Sequence, residues 1–217
     1  ASDIWAGTFH SICVRILRQH GERMGYRPGF TIYDADDTKK AVSAVMKTLN
    51  IDEKMLSAKV VASEISKAKD KLITPEDYAI EFAIDDIRKK KIAKIYAEYQ
   101  KQLMQANALD FDDIIMKTVL LLRQNEDVRE YYQNKFRYVS VDEFQDTNVA
   151  QFELISLLSG GHKNIMVVGD DNQSIYKFRG AVIENILGFD RKFPNTKIIK
   201  LEQNYRSTQN IVNAANS

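Results

Sequence analysis

Two short apolar runs in the sequence end in acidic residues. The run YVSV leads directly into Asp142 and Glu143, with Asp146 close behind, and the run IMVVG leads into Asp170. If both runs are neighbouring parallel strands, their carboxyl ends meet at one edge of a sheet, where such sheets bind ligands. Mg²⁺ takes only one or two protein carboxylates, and a neighbouring acid can deprotonate an attacking water. The other interpretation is that these acids are solvated or cap the helix that follows.

Holding the acids in place requires a sheet, and the C-terminal half of the chain has the pattern of one. The β-branched runs YVSVD, NIMVVGD and KIIKL are separated by helical segments at 151–158 and 183–192. This alternation predicts a parallel sheet covered by helices. Near the start of the chain, residues 3–9 are predicted to form a short strand, followed by an amphipathic helix from Ser11.

The stretch 34–105 has an almost purely helical pattern. It contains no glycine, and its one proline, Pro75, follows Thr74 at a plausible first helical turn. The clearest helix places five side chains on one face: Ile92, Ile95, Tyr96, Tyr99 and Leu103. Its RKKK run at 88–91 is either a solvated helical surface or a phosphate-contacting patch. The whole pattern predicts an α/β fold, a parallel sheet flanked by helices and interrupted by an all-helical insertion.

Composition limits the classes of function. The 31 Lys and Arg residues balance 30 Asp and Glu residues, so contact with nucleic acid would need a local patch. The single cysteine, Cys13, excludes an internal disulfide and is predicted to pack in the core. No apolar run approaches the roughly 18 residues that span a bilayer, and no signal peptide is visible. These features predict a soluble, cytoplasmic protein.

Five motifs along the chain resemble the motif series of the UvrD/Rep/PcrA family of superfamily I DNA helicases. In chain order they are TFHS, LDFDD, VDEFQDTN, GDDNQSIYKFRGA and LEQNYRST. The resemblance implies a partial RecA-like first motor domain at 1–25 and 107–202. It also implies a helical insertion at 26–106, and a segment at 203–217 that leads to a second motor domain. The activity implied is ATP-dependent, 3′ to 5′ movement on single-stranded DNA with unwinding of duplex DNA.

The resemblance implies a nucleotide site with ATP and Mg²⁺ as cofactors. Asp142 would hold Mg²⁺ through water, and Glu143 would activate the attacking water. Gln173 would contact the γ-phosphate and that water, because an amide can donate to one and accept from the other. Arg206 would stabilise charge in the transition state, and Tyr205 would stack on the adenine.

The resemblance also implies a track for single-stranded DNA. Thr8 and His10 resemble residues that touch the DNA backbone, although a lone histidine is more often structural. Tyr176 and Phe178 look like base-stacking positions, where the residues alone would favour core aromatics, and each stacked base contributes roughly 1 to 3 kcal/mol. Arg179 looks like the link between the DNA track and the nucleotide site. The family more often carries Trp at the position of Phe178, which leaves a smaller stacking surface here.

Several motif residues have simpler structural explanations. Ser207 or Thr208 could cap a helix, and we prefer to interpret Asp112 and Asp113 as acids at a helix N-terminus. No phosphate-binding loop of the form Gly-x-x-x-x-Gly-Lys-Ser/Thr occurs in the sequence. We therefore expect an inactive fragment that needs the remainder of a longer helicase chain. The alternatives are a non-enzymatic nucleic-acid or protein-binding module and, less well supported, a Mg²⁺-dependent nuclease.

Overall fold

The structure is a computed structural model that describes residues 4–84, 86–170, 173, 182, 184–203 and 205–215. The chain divides into two compact units, Ala1–Leu187 and Gly188–Ser217. The helices are α1 Phe9–His20, α2 Ala35–Thr48, α3 Ala58–Asp70, α4 Pro75–Phe82, α5 Ile87–Gln105, α6 Phe111–Gln124, α7 Glu126–Lys135, α8 Val149–Ser159, α9 Glu184–Leu187, α10 Phe189–Lys192 and α11 Gln209–Ala215, with 3₁₀ turns at Gly21–Met24 and Phe144–Asp146. The strands are β1 Thr31–Tyr33, β2 Ala108–Asp110, β3 Val139–Val141 and β4 Ile165–Val167.

The strands form two parallel pairs. β3 pairs with β4, with Val139 opposite Ile165 and Val141 opposite Val167, which confirms parallel pairing for two of the three predicted strands. β1 pairs with β2. This second pair was not predicted, because its two strands are separated in the sequence by the helices α2 to α5.

Two predicted strands are wrong. Residues 4–8 form no strand, and α1 begins at Phe9 because the Thr8 side chain accepts a hydrogen bond from the backbone N–H of Ser11 at 3.3 Å. The KIIKL run at 197–201 is also outside any strand, and Ile198 and Ile199 are each 71% exposed. A β-branched run needs a neighbouring strand to complete its hydrogen bonds, and the described residues of its own unit include no strand.

Local signals in the 34–105 stretch correctly predicted the start of α4 and the buried face of α5. Thr74 caps α4 in a capping box with Asp77, and Pro75 occupies the first turn. All five predicted core residues of α5 are buried. Asp112 and Asp113 lie in the first turn of α6, as predicted for acids near the positive end of a helix dipole.

Two hydrophobic cores lie on opposite sides of β2. One core is built from α2, α3, α4 and α5 and includes Ala108. The other is built from α1, α6, α7 and α8 and includes the next residue, Leu109. Successive strand residues point to opposite faces, so this short strand contributes one side chain to each core.

A buried ionic cluster joins α3 to the start of α6. The Lys69 ammonium lies 2.6 Å from an oxygen of Asp110 and 3.0 Å from one of Asp113, with all three side chains almost completely buried. The Tyr99 hydroxyl donates to Asp110 at 2.9 Å, and the Gln100 amide donates to Asp113 at 3.0 Å. Buried charges are tolerated when they are paired and hydrogen-bonded in this way.

The described part of the second unit contains α10, α11 and segments without regular secondary structure. Phe189 and Phe193 stack there with ring centroids 4.7 Å apart. Across the part of the chain that the structure describes, no helix is both long and apolar enough to cross a membrane.

Candidate active site

The predicted acidic residues lie at the carboxyl ends of β3 and β4. The ladder continues beyond the strands, because the Val168 N–H donates to the Val141 carbonyl at 2.8 Å and the Phe144 N–H donates to the Val168 carbonyl at 2.9 Å. Asp142 follows β3 directly, and Asp170 lies just past the end of β4. The structure therefore places both acidic segments at one edge of the parallel pair, as the sequence predicted.

Glu143 has an unusual backbone. Its φ angle is 50°, in the left-handed region that non-glycine residues rarely occupy. Its N–H donates to Oδ1 of Asp142 at 2.9 Å, and its side chain is exposed. Strained residues of this kind are concentrated at functional sites, because the surrounding structure must hold them in place.

Gln145 holds the Glu143 carboxylate, and sequence reasoning did not single it out. The Gln145 side chain is buried, and its Nε2 donates to Oε2 of Glu143 at 2.7 Å. Its Oε1 accepts the backbone N–H of Asp170 at 3.1 Å. An amide carries both a donor and an acceptor, so this one side chain links the ends of the two strands.

Asp146 lies in the same turn as Gln145. Desolvation raises the pKa of its carboxyl, and the negative charge of Glu143 raises it further. Its Oδ1 atom is buried and accepts no hydrogen bond from the described residues. Asp146 therefore lies in an environment that disfavours its charged form.

A cavity of about 530 Å³ brings four predicted site residues together. Thr8, His10, Asp142 and Glu143 all line it. Thr8 is exposed and caps α1. The His10 ring stacks on Phe111 with centroids 3.6 Å apart, and burial lowers its pKa, against the opposing effect of a backbone hydrogen bond with Phe111. Burial therefore disfavours the charged imidazolium that would pair with a phosphate.

The structure describes three of the other six predicted site residues. Gln173 joins the acidic edge, because its Nε2 donates to Oδ2 of Asp170 at 2.7 Å. Tyr205 and Arg206 belong to the second unit and are exposed there. The predicted DNA-binding residues of the GDDNQSIYKFRGA motif lie outside the described residues: Tyr176, Phe178 and Arg179.

The carboxylates at the acidic edge are compatible with a Mg²⁺ site. Nowhere in 4–84, 86–170 or the other described stretches do three or more His, Cys, Asp or Glu side chains converge as a metal cluster. Mg²⁺ does not need one, since it commonly keeps several waters and uses one or two carboxylates together with substrate phosphates. The exposed Asp142 carboxylate at the rim of the cavity meets that requirement.

Comparison with known proteins shows what the chain resembles. Residues 1–194 match the family described as UvrD/REP helicase N-terminal domain. The chain is 50% identical over 216 residues to the ATP-dependent DNA helicase PcrA of Staphylococcus epidermidis and 49% identical to that of Staphylococcus aureus. Both alignments cover 100% of this chain and 29% of the relative. The chain thus spans less than a third of the length of these relatives.

Proposed function

The chain belongs to the UvrD/REP helicase N-terminal domain family, and on that premise we propose that it supplies the hydrolytic edge of the motor in an ATP-dependent DNA helicase. The observation that carries the proposal is the Asp142–Glu143 pair at the end of two parallel strands, held by Gln145. ATP is the nucleotide, and Mg²⁺ is its metal ion. Single-stranded and duplex DNA are the partners, with 3′ to 5′ movement on the single strand.

Each residue of the edge has a role that its position supports. Asp142 would hold Mg²⁺ through water, and the ion would neutralise charge on the phosphates. Glu143 would accept the proton of the attacking water, and the hydrogen bond from Gln145 fixes the direction of its carboxylate. Gln173, on the same edge, would contact the γ-phosphate. Arg206 and Tyr205 would complete the nucleotide site from the segment that leads towards a second motor domain.

We propose the domain boundaries on the same basis. Residues 1–25 and 107–202 would form a partial RecA-like motor, 26–106 its helical insertion, and 203–217 the start of the connection to the second motor domain. The two cores on either side of β2 support this division, because Ala108 and Leu109 face different cores at the proposed boundary.

The proposed DNA track begins beside this edge. Thr8 and His10 line the same cavity as the acidic pair, and Tyr176, Phe178 and Arg179 follow β4 in the sequence. Tyr176 and Phe178 would stack on bases, which tolerates any sequence because every base has a π face. Arg179 would connect the track to the nucleotide site.

The experiment that tests the proposal uses a chimera. This chain replaces its aligned segment in the Staphylococcus epidermidis PcrA protein, with which it shares 50% identity. Hydrolysis of ATP is measured with and without single-stranded DNA, and DNA affinity is measured by fluorescence anisotropy. The Glu143→Gln chimera should lose about 100-fold or more of its turnover, because the base is removed. DNA affinity should stay within about twofold, because Glu143 is not proposed to touch DNA.

Glu130→Gln is the matched control, since Glu130 is an exposed glutamate on α7 that does not line the cavity. The control should keep the turnover of the unmodified chimera. Equal turnover in the two variants would remove Glu143 from the role of base. A folded chimera that binds DNA without hydrolysing ATP would favour the non-enzymatic binding module instead. The 217-residue chain alone should hydrolyse no ATP above background, because it lacks a Gly-x-x-x-x-Gly-Lys-Ser/Thr loop.

A further inference from the structure

A continuous series of hydrogen bonds crosses from the end of β3 to the end of β4. Gln145 Nε2 donates to Glu143 Oε2 at 2.7 Å, and Gln145 Oε1 accepts the Asp170 N–H at 3.1 Å. The Asp170 carboxylate then accepts from Gln173 Nε2 at 2.7 Å. The series therefore has the proposed base at one end and the proposed γ-phosphate sensor at the other.

The Gln145 amide can point in only one direction. Turning it over would place its carbonyl oxygen against the Glu143 carboxylate and its NH₂ group against the Asp170 N–H, so both contacts would become repulsive. The side chain is 1% exposed, so water cannot replace either partner. A buried amide whose two ends are satisfied in this way is fixed by its network.

Gly169 provides the room for this arrangement. A Cβ atom at that position would lie 2.6 Å from Oε1 of Gln145 and 2.9 Å from Cδ1 of Ile186, closer than side chains approach. Any other residue at 169 would therefore displace the Gln145 amide or the side chain behind it. The close approach gives a second way to disturb the same series from the opposite strand.

We propose that Gln145 is a positioning residue that couples the orientation of Glu143 to that of Gln173. The roles of Glu143 as base and Gln173 as phosphate sensor rest on the proposed function. The hydrogen bonds that connect them through Gln145 and Asp170 are observed in this chain. Contact of Gln173 with a phosphate would change its hydrogen bond to the Asp170 carboxylate. The displacement of Asp170 would then reach the Glu143 carboxylate through the Gln145 amide, which bonds to both residues. Gln145 thus holds the base, and the contact of Gln173 with Asp170 modulates how firmly it does so.

The first experiment measures the coupling in the 217-residue chain by NMR. Glu143→Gln removes a charge from an exposed side chain, so the chain should stay folded. It weakens the charge-assisted bond from Gln145 and should shift the side-chain amide signals of Gln145 and Gln173 and the backbone amide of Asp170. The Glu130→Gln control should leave all three unchanged. Unchanged Asp170 and Gln173 signals in Glu143→Gln would overturn the proposal.

The second experiment measures turnover in the PcrA chimera with Gln145→Met, which keeps the length of the side chain and removes both hydrogen bonds. We expect kcat to fall about 10- to 100-fold, as for a misplaced catalytic group, with the KM for ATP and DNA affinity within about twofold. Gly169→Ala should lower kcat in the same way. The Glu143→Gln and Gln145→Met double variant should be no slower than Glu143→Gln alone, since both act on one group.

The outcomes separate this proposal from the one on which it rests. Normal kcat in folded Gln145→Met, beside an inactive Glu143→Gln, would overturn the positioning role and leave the helicase function intact. Losses that multiply in the double variant would also overturn it, because they would show independent effects. An inactive unmodified chimera would contradict the proposed function, and the NMR experiment would still decide whether the coupling exists.

Discussion

Replacing Lys69 with methionine should strongly destabilise the protein. Methionine keeps the apolar stem of the lysine and removes its ammonium group. In the structure that group lies within 3.0 Å of both Asp110 and Asp113 and is sealed from water. The variant would therefore leave two buried carboxylates close together without their cation.

The expected loss follows from the burial of all three groups. Removing one partner from a buried ion pair costs about 3 to 5 kcal/mol. In a protein of this size, 1 kcal/mol moves the melting temperature by about 2 to 4 °C, so a drop of about 6 to 20 °C is expected. Desolvation, with added repulsion from Asp110, already raises the pKa of the Asp113 carboxyl, while Lys69 lowers it. Without Lys69 that carboxyl should bind a proton more readily, so the loss should shrink as the pH falls.

Thermal unfolding followed by circular dichroism at 222 nm measures this effect. Lys67→Met is the matched control, because Lys67 lies on the same helix, is mostly exposed and makes only an exposed contact of 3.4 Å with Glu64. Its free energy of unfolding should change by no more than about 0.5 kcal/mol. A Lys69→Met protein that melts within about 2 °C of the unmodified chain would refute the reasoning.

Three further predictions concern stability, pH and thiol reactivity. Burial, and then the charge of Asp112, raises the pKa of Asp70 to about 7, so the folded protein holds a proton there that the unfolded protein releases near pH 4. Stability should therefore fall as the pH rises from about 4 to 7. Asp70→Asn keeps an acceptor for Asn148, and its melting temperature should rise relative to that of the unmodified chain between pH 5 and pH 8. A difference in melting temperature that stays constant over this range would contradict the prediction. Thr8→Ala should cost about 1 kcal/mol by removing the cap of α1, and Thr8→Ser should restore it in urea unfolding. Burial raises the pKa of the Cys13 thiol to about 12, so a thiol reagent should label it only under unfolding conditions, and rapid labelling of the native chain would contradict its burial.

The sequence predicted those features that depend on neighbouring residues in the chain. Thr74 and Pro75 mark the start of α4 because capping needs only the residues of the first turn. The buried face of α5 follows from the helical period alone. The acidic edge was also predicted, because Asp142 and Asp170 each follow an apolar run and parallel strands align their ends.

Features that depend on distant partners could not be predicted. Nothing in the sequence around Lys69 distinguishes it from the other lysines of α3, and its burial becomes explicable only when Asp110, 41 positions away, lies beside it. Gln145 has the same character, since its importance depends on the neighbouring strand that carries Asp170. KIIKL shows the opposite failure, where strand propensity was present and a partner strand was not found among the described residues of its unit.

The parallel pairing of β1 with β2 has a mechanical consequence. Parallel neighbours can be joined only by a crossover, so the chain from α2 to α5 is fastened at its start by β1 and at its end by β2. Asn107 tightens this attachment, because its Oδ1 accepts the backbone N–H of Arg27 at 2.8 Å. A force applied to these helices therefore acts on a short hydrogen-bonded ladder and on the buried Lys69 cluster beside it, rather than on a flexible linker. We therefore expect the segment from α2 to α5 to move together with α6 until these contacts break.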